Sequence, residues 1–276
     1  MYTDEMASEA PSVLRCALLI AQAEYPDLDM ASCDADLDTL AELVEGELSP
    51  RGERYPLKVL RAISDVLYEQ VGFCGNAGNY YEPDNSYINR VLERHTGIPI
   101  SLALVYMEVA ARVGLPMVAV NIPAHLMLRP QRADLHVLVD AFKGGELCYL
   151  EDAQEVLSDI TGLDVRLDPV FVTSNEGMSA SAFLLRMLSN LKQIYTAERD
   201  LERSLRIIRF MRATDPVSSD QVRDEGLCLY ALGRLPESSA LLGQYLGMAP
   251  KAEDAERVVA LMARMAMMAR PLPDES

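Results

Sequence analysis

Apolar residues recur at helical spacing through the first seventy positions of the chain. Between Asp34 and Leu48, the positions Leu37, Leu40, Val44 and Leu48 form one stripe. Asp34 and Asp36 stand at its entry, where carboxylates suit the free N–H groups of a first turn. Leu60, Ile63, Leu67 and Val71 form a second stripe that ends near Gly72, and Pro26, Pro50 and Pro56 mark the breaks. Residues 1–72 therefore predict the N-terminal helical part of a core. A loop rich in Gly, Asn, Asp and Pro follows, FCGNAGNYYEPDNS, with Tyr80 and Tyr81 as its anchors. Asn76 and Asn79 suit left-handed turn conformations there, and Asn85 and Ser86 read as the N-cap of a short helix, SYINRVLER.

The next helix opens at Gly97-Ile98-Pro99, where a proline in the first turn loses no hydrogen bond. Its inward stripe is Leu102, Tyr106, Val109 and Val113, and Gly114 closes it. The pattern then changes to alternation. MVAVNI, HLMLR, LHVLVDAF and ELCYL read as strands, with a Gly144-Gly145 turn between the last two. A helix packed on an antiparallel sheet is an α+β arrangement, and residues 73–175 are its expected extent.

Residues 176–276 return to helical pattern, now with a repeat. Pro216 and Pro250 lie thirty-four residues apart, and the same offset pairs Leu201 with Leu235, Ser204 with Ser238 and Ile208 with Leu242. Polar breaks fall at Arg199-Asp200 and Gly233-Arg234. That period and layout are those of tetratricopeptide repeats. Two such units need a neighbour to bury their apolar faces, so docking on the preceding core is expected, with LMARMAMMAR as a capping helix.

Composition narrows the function classes. The formal charge is −17, and residues 1–50 hold twelve acidic side chains against Arg15 alone. Such a face repels phosphate backbones, which argues against nucleic acid as a partner and for a solvated surface. MYTDEMASEA lacks the basic and apolar regions of a secretory signal, and the longest apolar run, Ile98 to Met107, is too short to span a bilayer. A cytoplasmic protein without membrane association is expected. Cys16, Cys33, Cys74, Cys148 and Cys228 are scattered, so reduced thiols are expected rather than a disulfide framework. His95, His125 and His136 lack the paired spacings of a zinc site, and neither metal nor cofactor is expected. His95 and His136 read as exposed.

The chemistry gathers around one constellation. A thiol at a helix N-terminus, a histidine on an adjacent strand and a carboxylate on the next make a nucleophilic triad. The chain supplies the helix start at Gly97, His125 in PAHLMLR and Asp140 in HVLVDAF. In these features it resembles the transglutaminase-like superfamily, whose members show Gly-x-Cys at the helix start and Arg-x-x-Gly-Ile-Pro at its end. Aligning Arg112-Val113-Gly114-Leu115-Pro116 with the helix end puts Pro99 in the nucleophile place.

GFCGN, the run YYEPDNSYINRVLERHTGIPISLALVYMEVAARVGL, PAHLMLR, VDAFKGG and RDEGLCLYALGRLPESSALLGQYLGMAP resemble a narrower group. It is the bacterial family of transglutaminase-like proteins with C-terminal tetratricopeptide repeats, the SirB type, and the likeness runs from about residue 18 to 250. The resemblance implies a papain-like transglutaminase fold in which Gly-Ile-Pro-Ile-Ser-Leu is usual and the standard triad is absent. His125 and Asp140 are then vestigial triad positions, and Asn85 and Ser86 help order the loop over the cleft.

Two functional expectations follow. One is a non-catalytic scaffold or regulatory protein whose repeats offer a concave surface to a protein partner. The other is a hydrolase or acyl-transfer enzyme drawing its nucleophile from Cys74, Ser101 or a water activated by His125, with Asp140 orienting the ring. Ser101 reads more simply as a hydroxyl bonding backbone within the first turn, and Cys74 as a small packed residue. Asp140, among Val and Leu, needs a donor if buried, and His125 is the candidate.

Overall fold

The computed structural model describes residues 1–48, 54–122, 125–132, 134–162, 164, 166–173 and 176–268, and the chain divides into two units, Met1–Met187 and Leu188–Ser276. The first unit opens with helices α1 (Tyr2–Met6), α2 (Val13–Glu24), α3 (Met30–Glu47), α4 (Pro56–Ser64) and α5 (Ile88–Arg94). They surround α6 (Pro99–Arg112), which packs on α2 to α5 from one side and on the sheet from the other. Its buried residues run continuously from Ile100 to Tyr106, so the stripe expected from the sequence is widened to nearly the whole circumference. A helix apolar all round is one enclosed on all sides.

Several local expectations are corrected. α3 begins a turn before Asp34, because Cys33 extends the buried stripe and the Asp29 side chain caps the Ala31 N–H at 3.0 Å. Asp34 and Asp38 instead reach Arg112 at the end of α6, at 3.3 and 2.8 Å. Pro50 lies outside the described residues. The stripe through Leu67 continues past α4 as a π-helical turn, Asp65–Gln70, before Gly72 turns the chain at φ +86°. His95 is half-buried rather than exposed: it closes α5 at φ +51° with its ring 4.8 Å from that of Phe73. That reversal lets β2 (Thr96–Gly97) pair in parallel with β1 (Cys74–Gly75). Neither Asn76 nor Asn79 has positive φ. His136 is exposed, as expected.

The main sheet is antiparallel in the order β3 (Met117–Ile122), β4 (His125–Pro130), β5 (Leu138–Asp140) and β6 (Glu146–Cys148). The last two strands are shorter than the alternation predicts. A 3-10 turn over Ala141–Lys143, followed by Gly144 and Gly145 at φ +68° and +70°, takes up the residues between them. Leu150 already begins α7 (Leu150–Thr161), and a short α8 (Val170–Thr173) follows. One sheet face meets α6. The other buries Ile122, Met127 and Leu138 with Ala153 of α7 and Leu167. The unit is thus α+β, with helices on both faces of a small sheet.

Helix α9 (Ala180–Glu198) runs across the boundary into the second unit, where α10 (Leu201–Thr214), α11 (Ser219–Ala231), α12 (Leu235–Met248) and α13 (Ala255–Met268) complete an all-helical array. α10 and α12 start thirty-four residues apart. The polar breaks share a conformation, with Arg199 at φ +60° and Gly233 at φ +74°. Gly226 is required by close packing, since a Cβ there would lie 2.8 Å from Leu242. Glu225 is buried between Arg209, at 2.9 Å, and Arg212. α13 caps the array: Val258 and Met265 pack with Val222, Leu242 and Tyr245. Among the described residues, no helix is long and apolar enough to cross a membrane.

Candidate functional site

The sheet register brings the site together. In an antiparallel ladder, directly paired residues and those two apart share a face. Ile122 pairs with His125, Val120 with Met127, Asp140 with Glu146 and Leu138 with Cys148. His125, Met127, Asp140, Glu146 and Cys148 therefore point to one side, the side covered by α7. They line a cavity of about 70 Å³ that Asp152 and Ala153 of α7 close. That volume holds about two water molecules at their liquid share of roughly 30 Å³ each.

His125 Nε2 lies 2.7 Å from Asp140 Oδ2, with the carboxylate buried and the imidazole largely so. The other oxygen, Oδ1, accepts from the N–H groups of Phe142 and Lys143 at 3.0 and 3.1 Å. Asp140 thus orients the ring and caps the turn after its own strand. That turn is clamped from outside: Tyr68, in the π-helical segment, donates to the Ala141 carbonyl at 2.7 Å, and Ser64 to that of Gly145 at 3.0 Å. Irregular helical geometry often occurs near functional sites, and here it aims Tyr68 at the turn.

Cys148 was not among the residues singled out from the sequence. The structure places its thiol in the cavity with His125 and Asp140. Burial first, then the carboxylates of Asp140, Asp152 and Glu146, push its pKa up to about 12, opposed by Lys143. A reactive thiol needs the opposite surroundings, a nearby cation or a helix N-terminus. The signal that could have found Cys148 was the register. A simple two-residue turn at Gly144-Gly145 would have put Cys148 and Asp140 on opposite faces, and the 3-10 turn reverses that parity.

The remaining candidates form a second cluster, around the start of α6. Pro99 occupies the first helical position, half-buried. Ser101 is fully buried, and its hydroxyl donates to the Asn85 carbonyl at 2.6 Å while accepting from the Ile98 N–H at 3.0 Å. Its proton is committed to the backbone. Asn85 and Ser86 do not cap α5, whose N-cap position is Tyr87. Asn85 turns inward, donating to the carbonyls of Asn79 and Tyr80 at 2.7 and 3.3 Å and accepting from Asn76 at 3.1 Å, which ties the loop to α6. The Ser86 hydroxyl is buried with no partner among the described residues. Cys74 is exposed, with its sulfur 3.6 Å from the Thr96 hydroxyl. Neither Cys74 nor Ser101 lines the cavity at His125. Two glycines permit this packing: a Cβ on Gly97 would lie 2.7 Å from Ser101 Oγ, and one on Gly75 would lie 2.5 Å from the Phe142 ring. Among the described residues, no group of three or more His, Cys, Asp or Glu could hold a metal ion.

Against known families, residues 31–189 match the transglutaminase-like superfamily, and residues 191–263 match the tetratricopeptide repeat. A UPF0162 protein of Xylella fastidiosa is 32% identical over 250 residues, spanning 91% of this chain and 88% of that protein. SirB1 of Salmonella typhimurium is 28% identical over 200 residues, 71% of each chain. Human F-box only protein 21 is 32% identical over 174 residues, which cover 53% of this chain and 28% of that protein. No solved structure matches the chain.

Proposed function

Since the chain belongs to the transglutaminase-like superfamily and carries a tetratricopeptide-repeat region behind that domain, we propose that it is a non-catalytic member of the superfamily, a scaffold or regulatory module that engages a protein partner through its repeats. The observation that carries this reading is the state of the cavity thiol. Acyl transfer by this class needs a thiolate beside the histidine. The cysteine beside His125 and Asp140 is Cys148, held as a thiol by burial and three carboxylates. Pro99, in the place where the resemblance puts the nucleophile, offers no group to attack with. The His125–Asp140 pair then acts as a polar tie between β4 and β5. Five free cysteines fit a reducing cytoplasm.

The test is a search for acyl chemistry in the full chain. It would be incubated with p-nitrophenyl acetate, and separately with a glutamine-containing peptide plus a primary amine, beside the His125→Ala variant. The expected result is no covalent adduct by mass spectrometry and no turnover that depends on His125. An acyl adduct on Cys148, Cys74 or Ser101 that disappears in His125→Ala would establish the hydrolase or acyl-transfer alternative instead.

A further inference from the structure

The charge of the chain is segregated. Of the 42 acidic and 25 basic residues, residues 188–276 hold thirteen and twelve, so the second unit is nearly neutral while the first carries almost the whole excess. Within the second unit the basic residues are again divided. Two adjoining depressions, of about 530 and 370 Å³, share Leu227 of α11, which is 37% exposed. The acidic side chains lining them are already engaged. Asp254 is met by Arg223 at 3.2 Å and by Tyr245, and Asp224 by Lys192 and Arg223. Arg199, Arg257 and Arg264 line the same depressions, and among the described residues no carboxylate lies within ion-pair distance of them.

A second observation points the same way. Ser204, on the wall of the smaller depression, is buried, and its hydroxyl has no partner among the described residues. Its counterpart thirty-four residues on, Ser238, donates to the Gly226 carbonyl at 2.8 Å. A buried hydroxyl left without an acceptor in one repeat and satisfied in the other marks a place where a bound group can complete the set.

We propose that this groove binds an extended acidic segment of a partner protein, with carboxylates on Arg257 and Arg264 and an apolar side chain between them on Leu227 and Leu261. The spacing defines the segment. Arg257 and Arg264 are seven residues apart on α13, hence on one face and about 10 Å apart along the axis at roughly 1.5 Å per residue. In an extended polyproline II segment, with three residues per turn and about 3.1 Å per residue, residues three positions apart lie on one face at about that distance. The recognised pattern is therefore Glu-x-x-Glu or its Asp equivalents, with an apolar residue inside it. The proposal rests on the reading of the repeats as the part that engages a partner, and it names that partner's chemistry.

The test is fluorescence anisotropy on the full chain, with labelled ten-residue peptides that carry Glu-Leu-Ala-Glu, the same peptide with both Glu replaced by Gln, and one with both replaced by Lys. The acidic peptide is expected to bind, and the Gln peptide to bind about tenfold more weakly, as loss of two exposed charge pairs implies. The double variant Arg257→Glu/Arg264→Glu should show the same loss with its circular dichroism unchanged, while Arg234→Glu, at an arginine outside the groove, should bind as the parent does. No binding of the acidic peptide, or equal binding to the Gln peptide or to the double variant, overturns the proposal. Preference for the Lys peptide also overturns it but leaves the interaction-module reading standing, because the repeats would still bind peptide. Self-association in sedimentation that vanishes in the double variant would replace the foreign partner by a second copy. A His125-dependent acyl adduct would instead remove the non-catalytic reading and leave the groove untouched.

Discussion

Asp140 meets His125 through one carboxylate oxygen, at 2.7 Å, and with the other it caps the Phe142 and Lys143 N–H groups that follow its own strand. The tie between β4 and β5 and the turn that sets the β5–β6 register thus hang on one buried side chain. Removing it takes the acceptor from three donors at once. Of these, His125 and Phe142 are half-buried and Lys143 is exposed, so water replaces part of the loss. A fully buried unpaired donor costs about 1–3 kcal/mol.

Asp140→Ala should therefore lose about 1–3 kcal/mol in urea unfolding. Asp140→Asn keeps an acceptor for the turn and should lose less. Equal stability of Asp140→Ala and the parent would contradict the role of Asp140 in the turn.

Alkaline pH should destabilise the first unit through its thiols. Burial raises Cys148 to about 12, and Cys16 and Cys33 to about 11, from an ordinary 9.0. Above pH 9 the unfolded chain releases these protons before the folded one does, so unfolding gains and stability falls as pH rises towards 12. Cys148→Ala should flatten part of that slope in unfolding curves between pH 8.5 and 10.5. With iodoacetamide at pH 7.5, the exposed Cys74 should be labelled first, ahead of the half-buried Cys148 and the buried Cys16 and Cys33.

Gly75 is needed because the Phe142 ring occupies the space of its missing side chain. Gly75→Ala should cost about 1–3 kcal/mol, as overpacking does. In Phe142→Ala the clash is gone, so adding Gly75→Ala there should cost less than it does alone. A strictly additive double-mutant cycle would show that the ring is not the obstacle.

Arg199 and Gly233 close equivalent helices thirty-four residues apart, both at positive φ. A left-handed backbone costs a non-glycine residue about 1 kcal/mol. Arg199→Gly should raise the thermal midpoint by a few degrees, and Gly233→Arg should lower it. The reverse order would mean that the Arg199 side chain stabilises its turn by more than the strain costs.

Periodic burial was legible in the chain, because it is a local property. The stripes of α3, α4 and α6, the strands Met117–Ile122 and His125–Pro130, and the thirty-four-residue spacing of α10 and α12 all follow from it. The meeting of His125 with Asp140 was legible too, since a carboxylate in a strand of Val and Leu demands a donor. Stripes say which side is buried and not where a helix starts, which is why the entry of α3 at Asp29 was missed. Asn85 looked like a cap because its type suits one, yet the loop needed its amide more.

Tertiary structure alone decided the face on which Cys148 lies. Strand parity depends on how many residues a turn consumes, and the turn at Ala141–Lys143 is set by Asp140 from within and by Ser64 and Tyr68 from more than seventy residues away. Those contacts put a cysteine into the cavity of His125, where burial first and then three carboxylates raise its pKa. The chain by itself puts Pro99, which has no group to attack with, at the start of α6. The fold adds that the thiol in the cavity of His125 is held by burial and by carboxylates of β5, β6 and α7, which only the turn and the packing of α7 bring to its side of the sheet.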